Sequence, residues 1–186
     1  MFLNPFRRRR EDFSLAVGMT GVKMGDRLVQ VSCGNAARLA AIASKVGLSG
    51  RAVAVVGDAP TGAQIEKAAS RAGVLVDVIV CPLTRLPLEN GEFDLAIIDD
   101  TGTAFTGMNA DDRGALVRET VRVLRPGGRV MVIGTTPPTG VAAALSRSTT
   151  PSIDPTSALQ ADGFKTVRLL AERQGLVFYE GLKPRV

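Results

Sequence analysis

Residues 27–40, Arg-Leu-Val-Gln-Val-Ser-Cys-Gly-Asn-Ala-Ala-Arg-Leu-Ala, carry the pattern best suited to holding a ligand. An apolar run from Leu28 to Val31 breaks at Ser32-Cys33-Gly34, and a helical spacing of Leu39, Ile42, Ala43 and Val46 follows at once. Small residues let a ligand approach the backbone closely, and the start of a helix offers free N–H groups. Two further apolar runs also end in carboxylates: Ala52–Val56 leads to Asp58, and Phe93–Ile98 leads to Asp99-Asp100. In an open parallel sheet, positions of this kind gather beyond the carboxyl ends of the strands, where the strand order reverses. Gly34, Asp58, Leu83 and Asp99 are expected to meet there. The chain contains no histidine, so Asp99 and Asp100 are the candidate proton acceptors at that edge.

The missing histidine also excludes Ser-His-Asp and Cys-His triads and most histidine metal sites. Two cysteines, Cys33 and Cys81, lie in or beside apolar runs without metal-ligand spacing. They read as packing residues of a reducing compartment, and no metal site is expected. Net charge is +5, but the run Arg7–Arg10 supplies most of it, and aromatic residues make up only 4%. Stacking platforms for bases are therefore scarce, and nucleic acid is not an expected partner. No apolar run approaches the ~20 residues of a membrane helix, and no signal-peptide core follows the N-terminal charges. A cytoplasmic location is the expectation.

The elements that must position these residues follow from hydrophobic period and turn chemistry. Residues 12–24 suggest a short helix before Gly25-Asp26. Strands are expected at 27–31, 52–56, 76–81, 93–98 and 129–134, with helices at about 35–47, 61–72 and 111–124. Asp58 also suits the N-cap of the second of these helices, with Pro60 in its first turn. Arg125-Pro-Gly-Gly128 reads as the turn into the fifth strand. The Pro/Thr/Ser/Gly-rich stretch 135–157 reads as a loop with a short helix at 141–146. A helix at 155–161 then leads to strands 166–172 and 176–180, joined by a hairpin-like Arg173-Gln-Gly175. The sum is an α/β, Rossmann-like, doubly wound and mostly parallel sheet that closes with a C-terminal antiparallel hairpin. It forms a single domain over 20–186 behind a leader of residues 1–19.

Four segments strengthen that reading by resemblance. They are Leu28–Ala36 with its Cys33-Gly34, Leu86-Pro-Leu…Phe93-Asp94, Leu116–Val130 with Leu124-Arg-Pro-Gly-Gly128, and Ala161-Asp-Gly-Phe164. Together they resemble the class I S-adenosylmethionine-dependent methyltransferase family, over about residues 20–184. The resemblance implies S-adenosylmethionine as cofactor and a methyl transfer to a small-molecule or lipid-like acceptor. It places Gln30 where the family carries an acid for the methionine amino group, and Ser32 and Ala36 where it carries glycines. Asp58 falls at the ribose-binding acid, Leu83 beside the adenine, and Asp99 and Asp100 at acceptor-facing positions. The implied cofactor contacts are therefore Gln30, Ser32, Cys33, Gly34, Asp58, Leu83 and Asp99.

Two other classes stay open at this point. One is a non-catalytic methyltransferase-like module acting through partner-protein contacts. The other is a dinucleotide- or nucleotide-sugar-binding Rossmann protein, disfavoured by the Arg-Pro-Gly-Gly turn and the terminal hairpin. The leader carries Phe2 and Phe6 beside Arg7, Arg8, Arg9 and Arg10, which suits a partner protein or an anionic membrane surface.

Overall fold

The computed structural model describes residues 13–136 and 154–185. The expected leader contacts and the helix at 141–146 lie outside those residues. Seven strands form one sheet in the order β3-β2-β1-β4-β5-β7-β6. They are β1 (Arg27–Val31), β2 (Arg51–Val56), β3 (Asp77–Val80), β4 (Phe93–Asp99), β5 (Leu124–Thr135), β6 (Lys165–Arg173) and β7 (Leu176–Leu182). The first five run parallel, and β7 is antiparallel to both β5 and β6. The order reverses between β1 and β4, as the doubly wound reading requires. Among the described residues, five helices cover the sheet: α1 (Ser14–Thr20), α2 (Ala36–Ala43), α3 (Ala59–Ala72), α4 (Ala110–Val123) and α5 (Pro155–Ala161).

Alternation along the central strands divides the core between two faces. Leu28, Ala54, Val56, Leu95 and Ile97 pack with Leu39 and Ile42 of α2 and Ile65 of α3. Val29, Val31, Val53, Ala96 and Ile98 pack with Leu116 and Val117 of α4, Leu159 of α5 and Phe164. Both faces are dry, which is why these strands read as unbroken apolar runs rather than alternating ones. Ala16 of α1 is buried with the α2 face, so the expected boundary after residue 19 falls inside a packed helix.

The largest departure from expectation is at Arg125–Gly128. These residues are not a turn ahead of the fifth strand; the strand already starts at Leu124. Leu124 pairs with Phe93, and the register then slips before Arg129 pairs with Leu95. Pro126 has no N–H for the ladder, and Gly127 takes φ +75°, which a side chain would resist. The segment bulges out and is held by the chain end instead, through Lys183 N–H to Gly128 O (2.8 Å).

The Leu86…Asp94 segment is pinned to α4 at one end and to the neighbouring strands at the other. Glu119 accepts from the Leu86 N–H (2.8 Å), and Arg122 donates to the Leu86 and Leu88 carbonyls and to Asn90. Asp94 accepts from the Arg27 N–H (2.8 Å) and from the Arg125 guanidinium, tying β1, β4 and β5 together at their amino ends. Asp94 is thus a fold residue.

Candidate functional site

The candidate site lies at the carboxyl edge of β1, β2 and β4, where three connections meet. A cleft of about 210 Å³ there is lined by Ser32, Cys33 and Gly34, by Asp58 and Thr61, and by Leu83, Asp99, Gly102 and Ala104. The four residues expected to meet, Gly34, Asp58, Leu83 and Asp99, all line this cleft, together with Ser32 and Cys33. A roomier cavity of about 530 Å³ opens at the opposite edge, beside Leu48 and Leu75. Its lining includes none of these residues and lies at the amino ends of β2 and β3, so the smaller cleft is the candidate site.

Each wall follows from local structure. Asn35 caps α2, its side chain accepting from the Arg38 N–H (3.0 Å), so the chain turns sharply at Gly34. Asp58 caps α3, with one carboxylate oxygen accepting from the Thr61 N–H (2.8 Å) and the other from the Thr61 hydroxyl (2.9 Å). The capping role therefore holds, and the exposed carboxylate keeps further lone pairs for a ligand. Ser32 stands at φ +60° and donates its hydroxyl to the Asp99 carbonyl. The turn thus takes the left-handed conformation that a glycine would favour, with a serine held in it by a cross-strand bond.

At the centre is Asp99. It is 1% exposed, and Arg38 beside it is 6% exposed. Arg38 Nη2 donates to both Asp99 oxygens (2.9 Å each). The Gly34 N–H (3.1 Å), the Gln30 amide (3.3 Å), the Thr101 N–H (3.1 Å) and the Thr101 hydroxyl (2.7 Å) complete the set. A buried charge demands such partners. Gln30 lies under this carboxylate on β1, also donating to the Ser32 carbonyl (3.2 Å). Its own Oε1 is buried and has no hydrogen-bond partner among the described residues.

Asp100 has a different use from the one expected of it. Its Oδ1 accepts from the Phe105 and Thr106 N–H groups (2.8 and 3.0 Å), so it braces the loop between β4 and α4, and it does not line the cleft. Cys33 does line it. Burial, reinforced by the negative charge of Asp99, pushes its thiol up to about 11, so the sulfur is a neutral wall and not a nucleophile. No group of metal-ligating side chains occurs among the described residues.

Arg38, Thr101 and Gly102 escaped the sequence reading. For Arg38 a signal existed: it is four residues before Ile42, and so in register with the buried face of α2. Thr101 and Gly102 had none, because only the packing of two loops brings them to Gly34.

Comparison with known proteins agrees with this geometry. A family model described as "Methyltransferase domain" matches residues 29–132, more than half of the chain. A ubiquinone/menaquinone biosynthesis C-methyltransferase UbiE of Stenotrophomonas maltophilia is 32% identical over 121 residues, covering 63% of this chain and 45% of that protein. The corresponding protein of Desulfotalea psychrophila is 35% identical over 75 residues, covering 40% of this chain and 28% of the relative. The chain thus spans less than half the length of the curated relatives it matches. Among solved structures, a SAM-dependent methyltransferase from Aquifex aeolicus superposes with a TM-score of 0.74 at 18% identity, over 96% of this chain and 93% of that one. The apo form of the methyltransferase SibL gives 0.71 at 18% identity, over 94% and 55%. With the strand order, the reversal point and the family match in agreement, the chain belongs to the methyltransferase domain family.

Proposed function

We propose that this protein is an S-adenosylmethionine-dependent methyltransferase acting on a small, lipid-like acceptor of the quinone type. The observation that carries the reading is the convergence of Ser32, Cys33, Gly34, Asp58, Leu83 and Asp99 on one cleft at the β1/β4 reversal. The acceptor class draws support from the ubiquinone/menaquinone names of the relatives. The residues present fit the cofactor. Asp58 has free lone pairs at the rim, the turn at Gly34 supplies a backbone N–H, and buried Gln30 has an unfilled acceptor that a cationic nitrogen would satisfy.

When bound, the cofactor supplies a sulfonium methyl that a nucleophile displaces directly. The chain's part is to bind, orient and exclude water, which suits a reaction in which positioning provides much of the acceleration. Asp58 would hold the ribose hydroxyls, Leu83 and Ala104 would give the nucleoside an apolar wall, and Gln30 and Asp99 would serve the amino-acid end. Asp99 and Asp100 are both committed to several donors, so an acceptor with its own acidic hydroxyl needs no protein base. The same reading keeps the protein in a reducing cytoplasm, supported by the unpaired Cys33 and Cys81. The alternative of a non-catalytic module loses ground because Ser32 reproduces the left-handed turn despite lacking the glycine.

Incubation with methyl-labelled S-adenosylmethionine and a panel of quinols and phenols tests the reading. Transfer of label to a quinol is expected. No transfer to any acceptor, together with no calorimetric heat from S-adenosylhomocysteine at millimolar concentration, would end it.

A further inference from the structure

The Arg38–Asp99 ion pair borders the site: Asp99 lines the cleft, and Arg38 backs it from α2. Every hydrogen bond of the Arg38 guanidinium runs through Nη2, to Asp99 and to Thr101 Oγ1 (2.7 Å). Its Nε and Nη1 have no partner among the described residues. Asp99 in turn consumes the Gly34 N–H, the group the turn would otherwise present. The loops after β1 and β4 are drawn together over this pair. A Cβ built on Gly34 would overlap the Thr101 hydroxyl and stand 3.0 Å from the Gly102 nitrogen. The cleft that remains, about 210 Å³, is below the ≈ 300–1,000 Å³ of small-molecule sites. A nucleoside carrying an amino-acid tail needs this seam to open.

We infer that Arg38 is a ligand-binding residue that exchanges partners: the carboxylate of the cofactor's amino-acid tail replaces Asp99 on Arg38 and on the Gly34 N–H, and the tail's ammonium replaces the guanidinium on Asp99. The inference rests on the cofactor reading above. Its physical basis is charge balance. Parting a buried ion pair leaves two uncompensated charges unless each finds a new partner. A zwitterionic α-amino acid supplies both at once. A phosphate supplies only an anion and strands Asp99, so the pair selects amino-acid-tailed nucleosides over nucleotides. Neutral Gln30 completes the arrangement. Its amide donates to Asp99 at 3.3 Å, where an acid would set a second carboxylate against the first. The chain thus keeps its single anion at this end on β4, with its counter-charge supplied by α2.

The test is calorimetric titration of the full chain with S-adenosylhomocysteine, which carries the zwitterionic tail, and with 5′-methylthioadenosine, which lacks it. The unmodified protein is expected to prefer the first by roughly tenfold or more, the effect of one charge-assisted hydrogen bond. Arg38→Met alone leaves Asp99 stranded and still able to hold the ammonium, so the deciding variant is the double Arg38→Met with Asp99→Asn, which removes both charges and should bring the two affinities within about twofold of each other by weakening S-adenosylhomocysteine alone. Arg38→Lys should keep part of the preference. An undiminished preference in the double variant overturns the exchange. Equal binding of the two compounds by the unmodified protein also overturns it, and leaves the nucleoside cleft standing. Binding of neither overturns the cofactor reading and the exchange together.

Discussion

Ser32 donates its hydroxyl to the main-chain carbonyl of Asp99 across the β1/β4 junction, while its own backbone stands at φ +60°. The two facts oppose each other energetically. A non-glycine residue in the left-handed region costs about 1–2 kcal/mol, and the buried hydrogen bond returns about 0.5–1.5 kcal/mol. Ser32→Gly should therefore be close to neutral, relieving the backbone as it loses the bond. Ser32→Ala should destabilise by about 1–2 kcal/mol, keeping the backbone term and losing the bond. Urea unfolding of the pair checks this; equal effects of Gly and Ala would mean that the backbone conformation is not a source of strain.

Gly34 admits no side chain. Gly34→Ala should cost about 1–3 kcal/mol, because the new methyl group must push the Thr101 loop away. It should also abolish S-adenosylhomocysteine binding. Thermal melts and calorimetry report the two effects, and an alanine variant with an unchanged melt would show that the seam yields freely.

Asp58 has two tasks that one pair of substitutions separates. Asparagine caps a helix about as well as aspartate, whereas alanine loses about 0.5–2 kcal/mol. Asp58→Asn should keep stability and weaken S-adenosylhomocysteine, by up to about 1.5–3 kcal/mol for each charged hydrogen bond lost. Asp58→Ala should lose both. Full affinity in the Asn variant would remove Asp58 from the ribose contact.

Glu119 predicts an acid-dependent stability. The Arg122 side chain holds its carboxyl below the usual range, against the opposing effect of partial burial and with help from the Leu86 N–H. A carboxyl depressed in the folded state contributes stability that is present above its unfolded value and is lost as pH falls through its folded value. The stability difference between the unmodified protein and Glu119→Gln should be greatest above about pH 5 and shrink steadily below it. Denaturant titrations from neutral pH down to pH 3 measure it, and a difference independent of pH would refute the assignment.

Cys33 should alkylate slowly at neutral pH, with a rate that climbs about tenfold per pH unit toward 11. Asp99→Asn should shift that rise to lower pH, because the Asp99 charge is one of the causes holding the thiol up, after burial. An iodoacetamide time course followed by mass spectrometry, with Cys81→Ser to isolate the signal, reads it directly.

Much of the fold was legible because its determinants are local. The strands β1 and β2 ended where expected and β4 one residue later, and Pro60 and Asp58 marked the start of α3 to within two residues. The hairpin of β6 and β7 followed from Gln174-Gly175, both at positive φ. Arg125–Gly128 was misread because its residues suit a turn and a bulge equally. Only the pairing of Leu124 with Phe93 and the hold of Lys183 decide between them.

The sequence by itself determined the parallel sheet, the turn at Ser32–Gly34 and the gathering of Gly34, Asp58, Leu83 and Asp99 at one edge. Hydrophobic period, caps and turn residues act over a few positions and need no knowledge of the rest of the chain. The tertiary structure decided what each carboxylate does. Asp99 and Asp100 are neighbours of the same type, yet one is paired with Arg38 in the cleft and the other braces Phe105 and Thr106. Asp99 ends β4 and Asp100 opens the loop after it, and the partners that compensate a buried charge come from whichever elements the fold brings there, here a helix sixty-one residues away in the chain.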